Sequence, residues 1–167
     1  MAQTLLSVPE PDVPARAKAL IGTKKVLSYD VTLKDIKRFA QAIGDSDPLF
    51  HDEAYASGTR HGGIVAPELF FQAITYDDLP VDELPPDGSP IGIDIPLDAE
   101  RTVGGASDFR IYGRVRPGDT ITVQTTLKDI YAKQGRSGKL YFIEVETTFT
   151  NQNQQTLAVE VASFIRR

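Results

Sequence analysis

The stretch that decides the fold is residues 64–76, IVAPELFFQAITY. Its apolar side chains fall on nearly every side of a helix drawn through it, whereas a surface helix keeps only one apolar stripe. Pro67 stands where the first turn of a helix accepts proline. Gly62 and Gly63, just before the stretch, would let the backbone approach another group closely. The pattern therefore predicts a buried helix that other elements must surround.

The last third of the chain predicts the strands that surround this helix. Apolar and polar residues alternate there, which is typical of strands with one buried face. The alternation runs through four segments that are separated by turn-forming residues: 109–116, 121–127, 140–149 and 157–165. We expect tight turns to join them into an antiparallel meander. A sheet packed on the buried helix gives an α+β fold, with residues 1–167 in a single domain.

Three further segments complete the predicted domain. Residues 1–14 contain three prolines and are expected to form an N-terminal arm. Residues 32–43 predict an amphipathic helix, with a capping box that begins at Thr32 and with Gly44 at its C-terminal end. Residues 79–98 contain five prolines. Because proline breaks helices and central strands, this segment is expected to be a long ordered loop.

The composition excludes several classes of function. The net charge is −5 and the pI is near 5.0, so the surface repels phosphate backbones and nucleic-acid binding is not expected. The chain has no cysteine and only two histidines, which excludes disulfides, thiolate metal sites and multi-histidine metal sites. No apolar stretch approaches the roughly 18 residues that cross a bilayer, and the N-terminus lacks the pattern of a signal peptide. We expect a cytoplasmic protein that uses no metal.

A motif follows the first predicted helix. Residues 44–52 have the sequence GDSDPLFHD. They resemble the Gly-Asp-x-Asn-Pro-Leu-His-x-Asp signature of MaoC-like (R)-specific enoyl-thioester hydratases. The resemblance continues through GGIVAP at residues 62–67 and RVRPGDT at residues 114–120, in the same order, and covers roughly residues 20 to 166. It implies a hot-dog fold, in which an antiparallel sheet wraps a buried central helix.

The resemblance also implies the chemistry. Members of the family hydrate or dehydrate acyl thioesters of CoA or of acyl-carrier protein, without a cofactor. An aspartate and a histidine activate water for addition to the 2,3-double bond, or remove it in reverse. A backbone N–H at the start of the central helix polarises the thioester carbonyl, because a helix N-terminus presents free N–H groups and positive partial charge.

Two positions depart from the family pattern. Asp45 matches the catalytic aspartate, but Phe50 occupies the position of the catalytic histidine and His51 lies one residue later. Pro67 stands where a family glycine supplies the polarising N–H, and proline has no N–H. A positioned acid or base is worth about 10²–10⁴ in rate, and one oxyanion donor about 10²–10³. The resemblance therefore implies the substrate-binding, non-catalytic subunit of a heteromeric enzyme.

The candidate catalytic residues are Asp45 and His51, and each has a simpler interpretation. Asp45 can be a loop residue that binds backbone amides ahead of a proline, and His51 can be a surface histidine. The resemblance implies substrate-binding roles for Phe50, Gly62, Gly63, Ile64, Val65 and Pro67. Arg136, at a hairpin turn, is added because the phosphates of CoA need positively charged partners. The two glycines can equally serve only the turn. Arg136 is a candidate contact for the 3′-phosphate of CoA, but alternating strand charges usually form a solvated face.

Two other functions stay open. Hot-dog thioesterases often use a carboxylate on the central helix, and Glu68 stands there. An ionised carboxylate on a buried helix is costly unless it is paired or functional. A module that only binds acyl thioesters would also lack the histidine and the N–H. The sequence does not identify the acyl group or decide between CoA and carrier protein. It also leaves open whether the chain forms a homodimer or a heterodimer with a catalytic MaoC-like subunit.

Overall fold

An antiparallel sheet of five strands dominates the computed structural model, which describes residues 12–75, 82, 92–136 and 138–167. The strands are β1 (Lys24–Asp30), β2 (Thr102–Ile111), β3 (Thr120–Gly135), β4 (Gly138–Thr150) and β5 (Thr156–Arg166). Their order across the sheet is β1-β3-β4-β5-β2, and every neighbouring pair is antiparallel. Strands β1 and β2 are therefore the two edges.

The described helices are short; one precedes β1, and the others lie in the connection between β1 and β2. They are α1 (Ala15–Lys18), α2 (Leu33–Ala42), α3 (Glu53–Ser57) and α4 (Phe70–Ala73), with a 3₁₀ turn at Pro48–Phe50. None of the helices in the described part of the chain is long and apolar enough to cross a membrane.

Helix α2 forms where the sequence predicts it. The Thr32 side chain accepts a hydrogen bond from the Asp35 amide, and the Asp35 carboxylate accepts one from the Thr32 amide, so the predicted capping box is present. Gly44 takes a φ of 73°, the left-handed conformation expected at the C-terminal end. Ile36 is fully buried, but Ile43 is 53% exposed. The apolar face therefore ends one turn earlier than the sequence predicts.

The helix predicted over residues 64–76 is wrong in its extent. Only α4 is helical there, and residue 76 lies outside the described residues. The amide of Ala66 donates to the carbonyl of Val115 at 2.8 Å instead of to a helical partner. Pro67 explains the delayed start, because a proline disfavours helical conformation in the residue before it.

The predicted four-strand meander is wrong in one strand. Strands β3, β4 and β5 do form a meander, but β2 pairs with β5 at the other edge and does not lie beside β3. The strand predicted over residues 109–116 ends at Ile111. The amides of Tyr112 and Gly113 both donate to the Leu157 carbonyl, and the chain then crosses the end of the sheet before β3 begins.

Two hydrophobic clusters lie on the inner face of the sheet. The first, here the α2 cluster, includes Ile36, Phe70, Phe71, Ile121, Val123 and Phe149. The second, here the N-terminal cluster, includes Val13, Ala17, Ile95, Leu127, Tyr141 and Ile143. A row of three polar residues crosses the same face between them, because Thr125 pairs with Thr147 and Thr147 pairs with Glu160.

The predicted arm and the predicted proline-rich loop are described only in part. Residues 1–11 of the arm lie outside the described residues, and Val13 is buried in the N-terminal cluster. Of the predicted loop, residues 79–81 and 83–91 also lie outside them. Residues 92–98 form neither helix nor strand, as the prolines predict, and Ile95 is fully buried. The described end of this loop therefore belongs to the core.

Candidate functional site

The loop that carries the motif, residues 44–52, is held by its own aspartates. Asp45 Oδ1 accepts a hydrogen bond from the Asp47 amide at 3.0 Å. Asp47 Oδ1 in turn accepts one from the Leu49 amide at 2.9 Å, which caps the 3₁₀ turn at Pro48. Contacts of this kind are the usual role of aspartate in turns. The geometry of Asp45 therefore fits its simpler, turn-forming interpretation.

Phe50 and His51 lie in different surroundings. Phe50 is only 7% exposed and packs with Ala40 and Val65. His51 is half-buried, and its Nε2 lies 3.0 Å from the carbonyl oxygen of Asp45. A carbonyl oxygen only accepts hydrogen bonds, so this ring nitrogen must carry the proton and donate. The family's histidine position thus holds an apolar side chain, and the available histidine is bonded to its own loop.

Gly62 and Gly63 bring the second motif against the first. Their φ angles are 66° and 151°, which residues with a Cβ rarely adopt. They turn the chain into residues 64–66, whose side chains are all at least 97% buried. Val65 and Phe50 belong to the same buried cluster. Five of the predicted substrate-binding residues therefore lie in one region of the molecule.

The polarising N–H of the family is absent at this position. The Ala66 amide is used by the Val115 carbonyl, and Pro67 has no amide hydrogen. Pro67 is itself buried. The chain therefore has no free donor at these two residues to polarise a thioester carbonyl.

The position of Glu68 does not favour the thioesterase alternative, which expects a carboxylate on the buried central helix. Glu68 precedes α4, and its side chain is 61% exposed. Its carboxylate forms an ion pair with Arg114. Glu68 therefore does not lie on a buried helix as the thioesterase alternative expects, and its charge is paired.

Three arginines surround His61 beside the glycine pair. Burial, followed by the positive charges of Arg60, Arg114 and Arg116, holds the pKa of His61 below its ordinary value. Arg60 Nε donates to His61 Nε2 at 3.3 Å, and Arg116 Nη2 donates to the His61 carbonyl at 2.6 Å. A Cβ on Gly63 would lie 3.7 Å from Glu53 Oε1 and 4.0 Å from Arg116 Nη1, so side chains of both charges lie beside this glycine.

Arg136 lies far from these residues. It is exposed at the turn between β3 and β4. At the other end of β3, Ile121 belongs to the α2 cluster, on which Leu49 of the motif loop packs. The separation along the strand is roughly 45 Å at about 3.3 Å per residue. Within one chain, Arg136 is therefore not brought together with the other predicted residues.

An open cleft lies between α2 and the motif loop. Its volume is about 870 Å³, and both Asp45 and His51 line it. The remaining lining side chains are largely polar or basic: Lys34, Lys37, Arg38, Gln41 and Ser46. Across the described ranges, no group of three or more histidine, aspartate or glutamate side chains is placed to hold a metal ion.

A second cavity, which the sequence did not lead us to expect, lies at the polar row of the sheet. We call it the Glu160 cavity; its volume is about 240 Å³. Glu160 is only 6% exposed, and its Oε1 accepts hydrogen bonds from Gln72 at 3.0 Å and Ser107 at 2.6 Å. One sequence signal could have revealed it, since Glu160 shares its strand face with the small apolar residues Ala158 and Ala162.

Comparison with known proteins places the chain in a family. A model of the FAS1-like dehydratase domain region matches residues 19–160. The chain belongs to this family of MaoC-like hot-dog dehydratases. A UPF0336 protein of Parafrankia sp. (strain EAN1pec) is 30% identical over 139 residues, which cover 83% of this chain and 85% of that protein.

Two further comparisons give a relative that is an enzyme subunit and a solved structure with the same fold. The 3-oxo-4,17-pregnadiene-20-carboxyl-CoA hydratase alpha subunit of Mycobacterium tuberculosis is 32% identical over 135 residues, covering 77% of this chain and 43% of that subunit. The crystal structure of the ChsH1-ChsH2 complex from the same organism matches with a TM-score of 0.69 and 22% identity, covering 91% of this chain and 92% of that one. The predicted α+β hot-dog fold is thereby confirmed.

Proposed function

We propose that this chain is the substrate-binding, non-catalytic subunit of a heteromeric (R)-specific enoyl-thioester hydratase, or 3-hydroxyacyl-thioester dehydratase. The observation that carries the proposal is the pair Phe50 and His51. Phe50 fills the family's histidine position with a buried apolar ring, and the Nε2 of His51 donates to the Asp45 carbonyl. A general base must reach the proton that it abstracts. A phenylalanine ring has no basic atom, and one ring nitrogen of His51 is already bonded to its own loop.

The missing donor supports the same conclusion. Acid–base catalysis contributes about 10²–10⁴ in rate, and one donor to the developing oxyanion about 10²–10³. Ala66 and Pro67 leave no free N–H for that second role. In the proposed enzyme, a second hot-dog subunit supplies the aspartate, the histidine and the N–H. This chain holds part of the acyl thioester and excludes water from it.

The partner is expected at the β2 edge of the sheet. Seven of the ten residues of β2 are exposed, and an uncovered edge strand offers unpaired backbone groups to another chain. One relative is the alpha subunit of a hydratase, and one similar fold was solved as a two-protein complex. These parallels support a catalytic MaoC-like subunit as the partner. The thioester is carried by CoA or by acyl-carrier protein.

The test is a hydration assay with crotonyl-CoA and a long-chain enoyl-CoA. The assay is run on the pure chain, on its partner and on the mixture of the two. The partner is a MaoC-like subunit that has the intact Asp and His motif and co-purifies with this chain. We expect turnover of the long-chain substrate only in the mixture. Full hydratase activity of the pure chain would overturn the proposal.

The same assay separates the other functions. Release of free thiol by the pure chain would indicate a thioesterase, which the exposed and paired Glu68 does not favour. Binding of enoyl-CoA without any gain of activity in the mixture would indicate a module that only binds acyl thioesters. Either outcome contradicts the proposed subunit role.

A further inference from the structure

The Glu160 cavity lies where the two hydrophobic clusters of the sheet are interrupted. Thr125 and Thr147 form one wall, joined by a hydrogen bond of 3.1 Å between their hydroxyls. Gln72 and Thr75, at the end of α4, form another. The volume of about 240 Å³ far exceeds the roughly 10–15 Å³ that one water needs. The cavity can therefore admit part of a ligand.

The buried carboxylate of Glu160 lines the cavity. A buried carboxylate is costly unless hydrogen-bond donors satisfy its oxygens. Both hydrogen bonds that it accepts from described residues, those of Gln72 and Ser107, go to Oε1. Oε2 accepts none from these residues. Glu160 is 94% buried, and no fully buried side-chain oxygen of the described residues lacks a partner, so Oε2 is open to the cavity and can accept from a bound molecule.

The wall on the β2 side is shaped by a β-bulge. The pairing of β2 with β5 shifts between Gly104 and Ser107, and the extra residue redirects the Ser107 hydroxyl toward Glu160. Gly105 is required there, because a Cβ would lie 2.5 Å from Ser163 Oγ and 2.9 Å from the Ser163 carbonyl oxygen. The Ala106 amide donates to Ser163 Oγ at 2.9 Å, which fixes the bulge.

The mouth of the cavity faces the proposed partner. Exposed residues 104–107 of β2 line it, and β2 is the edge where we expect the catalytic subunit. An acyl chain that starts at the partner's active site can therefore enter from this side. An unsubstituted alkyl chain would leave Glu160 Oε2 without a donor, and a buried unsatisfied acceptor is costly.

We infer that the Glu160 cavity receives a hydroxyl group carried by the acyl chain of the substrate, at a position remote from the thioester. The inference rests on the proposed function and deepens it, because it names the substrates as hydroxylated acyl thioesters. Glu160 Oε2 accepts the hydrogen bond from the substrate hydroxyl. Thr125 and Thr147 provide polar walls that a purely apolar chain does not need.

The test compares substrates that differ only in this hydroxyl. The probes are trans-2-enoyl-CoAs of eight, ten and twelve carbons, each with and without a hydroxyl on the terminal carbon. Values of kcat/KM are measured for the reconstituted two-subunit enzyme. We expect at least a tenfold preference for the hydroxylated member at one chain length, which corresponds to about 1.4 kcal/mol.

Two variants assign the preference to the cavity. Glu160→Met keeps the length of the side chain and is expected to bring the ratio of the kcat/KM values for the hydroxylated and the alkyl substrates to about one. Glu146→Met, on the outer face of β4, is the matched control and is expected to keep it. If Glu160→Met does not fold, Glu160→Gln replaces it, and the preference is expected to fall at least severalfold.

The outcomes separate the two proposals. Equal kcat/KM values for both members at all three lengths, or a preference that survives Glu160→Met, would overturn the inference and leave the hydratase role intact. No turnover of any probe by the reconstituted enzyme would contradict the proposed function itself.

Discussion

Phe50 and His51 are neighbours in the sequence and differ in what surrounds them. Their divergence could be predicted, because the motif aligns without a gap through Asp52 and consecutive side chains point apart. Phe50 is buried against Val65, as this alignment requires. The hydrogen bond from His51 to the Asp45 carbonyl could not be predicted, since it depends on the path of the whole loop.

The hydrogen-bond partners of Glu160 could not be predicted from the sequence. Its strand, β5, alternates as predicted, and Glu160 falls in phase with buried positions. A charged residue in such a phase indicates either a partner or a ligand. The partners, Gln72 and Ser107, lie 88 and 53 residues away in the sequence. No local pattern could have identified them.

Phe50 should contribute strongly to stability if its ring is part of the core. Phe50→Ala is expected to lower the free energy of unfolding by about 3 kcal/mol, because it leaves a cavity against Ala40 and Val65. The matched control is His51→Ala, which loses one hydrogen bond and should cost about 1 kcal/mol. Urea denaturation measures both. Equal losses for the two variants would contradict the burial of Phe50.

At the scale of elements, helix α2 and residues 64–76 differ in how far local sequence determines them. The capping box and Gly44 set the limits of α2 through neighbouring residues, so its extent could be predicted. Residues 64–76 carry one signal near their start, Pro67, which suits the first turn of a helix but also disfavours helical conformation in the residue before it. Their first part is extended because Ala66 bonds to Val115, a residue of a distant segment.

The capping box of α2 provides a direct test of its contribution. Thr32→Ala removes the side chain that accepts from the Asp35 amide and donates to the Asp35 carboxylate. The expected loss is about 1 kcal/mol of unfolding free energy. Lys34→Ala, an exposed change on the same helix, should stay within about 0.5 kcal/mol of the native protein. A Thr32→Ala variant as stable as the control would contradict the observed cap.

The loop at residues 92–98 is fixed to β4 through Tyr141. The Tyr141 hydroxyl donates to the Asp98 carboxylate, and this bond holds the pKa of Asp98 below its ordinary value of 3.8. Lys139 Nζ also donates to the Tyr141 oxygen, at 3.1 Å. The described end of the proline-rich loop is therefore tied to the sheet.

This contact predicts a pH-dependent stability. Because the pKa of Asp98 is depressed in the folded state, the bond stabilises the fold above about pH 4, and this stability is lost as the pH falls through the folded pKa. Tyr141→Phe is expected to lower the melting temperature at pH 7, and the difference from the native protein should narrow below pH 4. Tyr112→Phe, at a 63% exposed tyrosine, is the control. A difference that is constant from pH 7 to pH 3 would contradict this role of Asp98.

At the scale of the whole molecule, the hot-dog fold could be predicted from the motifs but its strand order could not. The alternating segments predicted three of the four meander strands in their places. The fourth, β2, pairs with β5 because residues 112–116 cross the end of the sheet, where Val115 enters the α2 cluster. Pairing between strands that are distant in the sequence depends on such tertiary contacts.

The position of β2 predicts where the partner binds. In hydrogen–deuterium exchange, the amides of residues 102–111 should exchange more slowly when the catalytic subunit is added, because the edge is then covered. The central strand β4 is the internal control, and its exchange should not change. Equal exchange of residues 102–111 with and without the partner would contradict an interface at this edge.

The central claim is that this chain supplies no catalytic side chain. The most direct measurement is kcat of the reconstituted enzyme in which this chain carries Asp45→Asn and His51→Ala together. The account predicts a kcat within about twofold of the native complex, since a positioned acid or base would be worth about 10²–10⁴. A loss of 10²-fold or more, with the complex still assembled, would show that these residues take part in the reaction and would contradict the account.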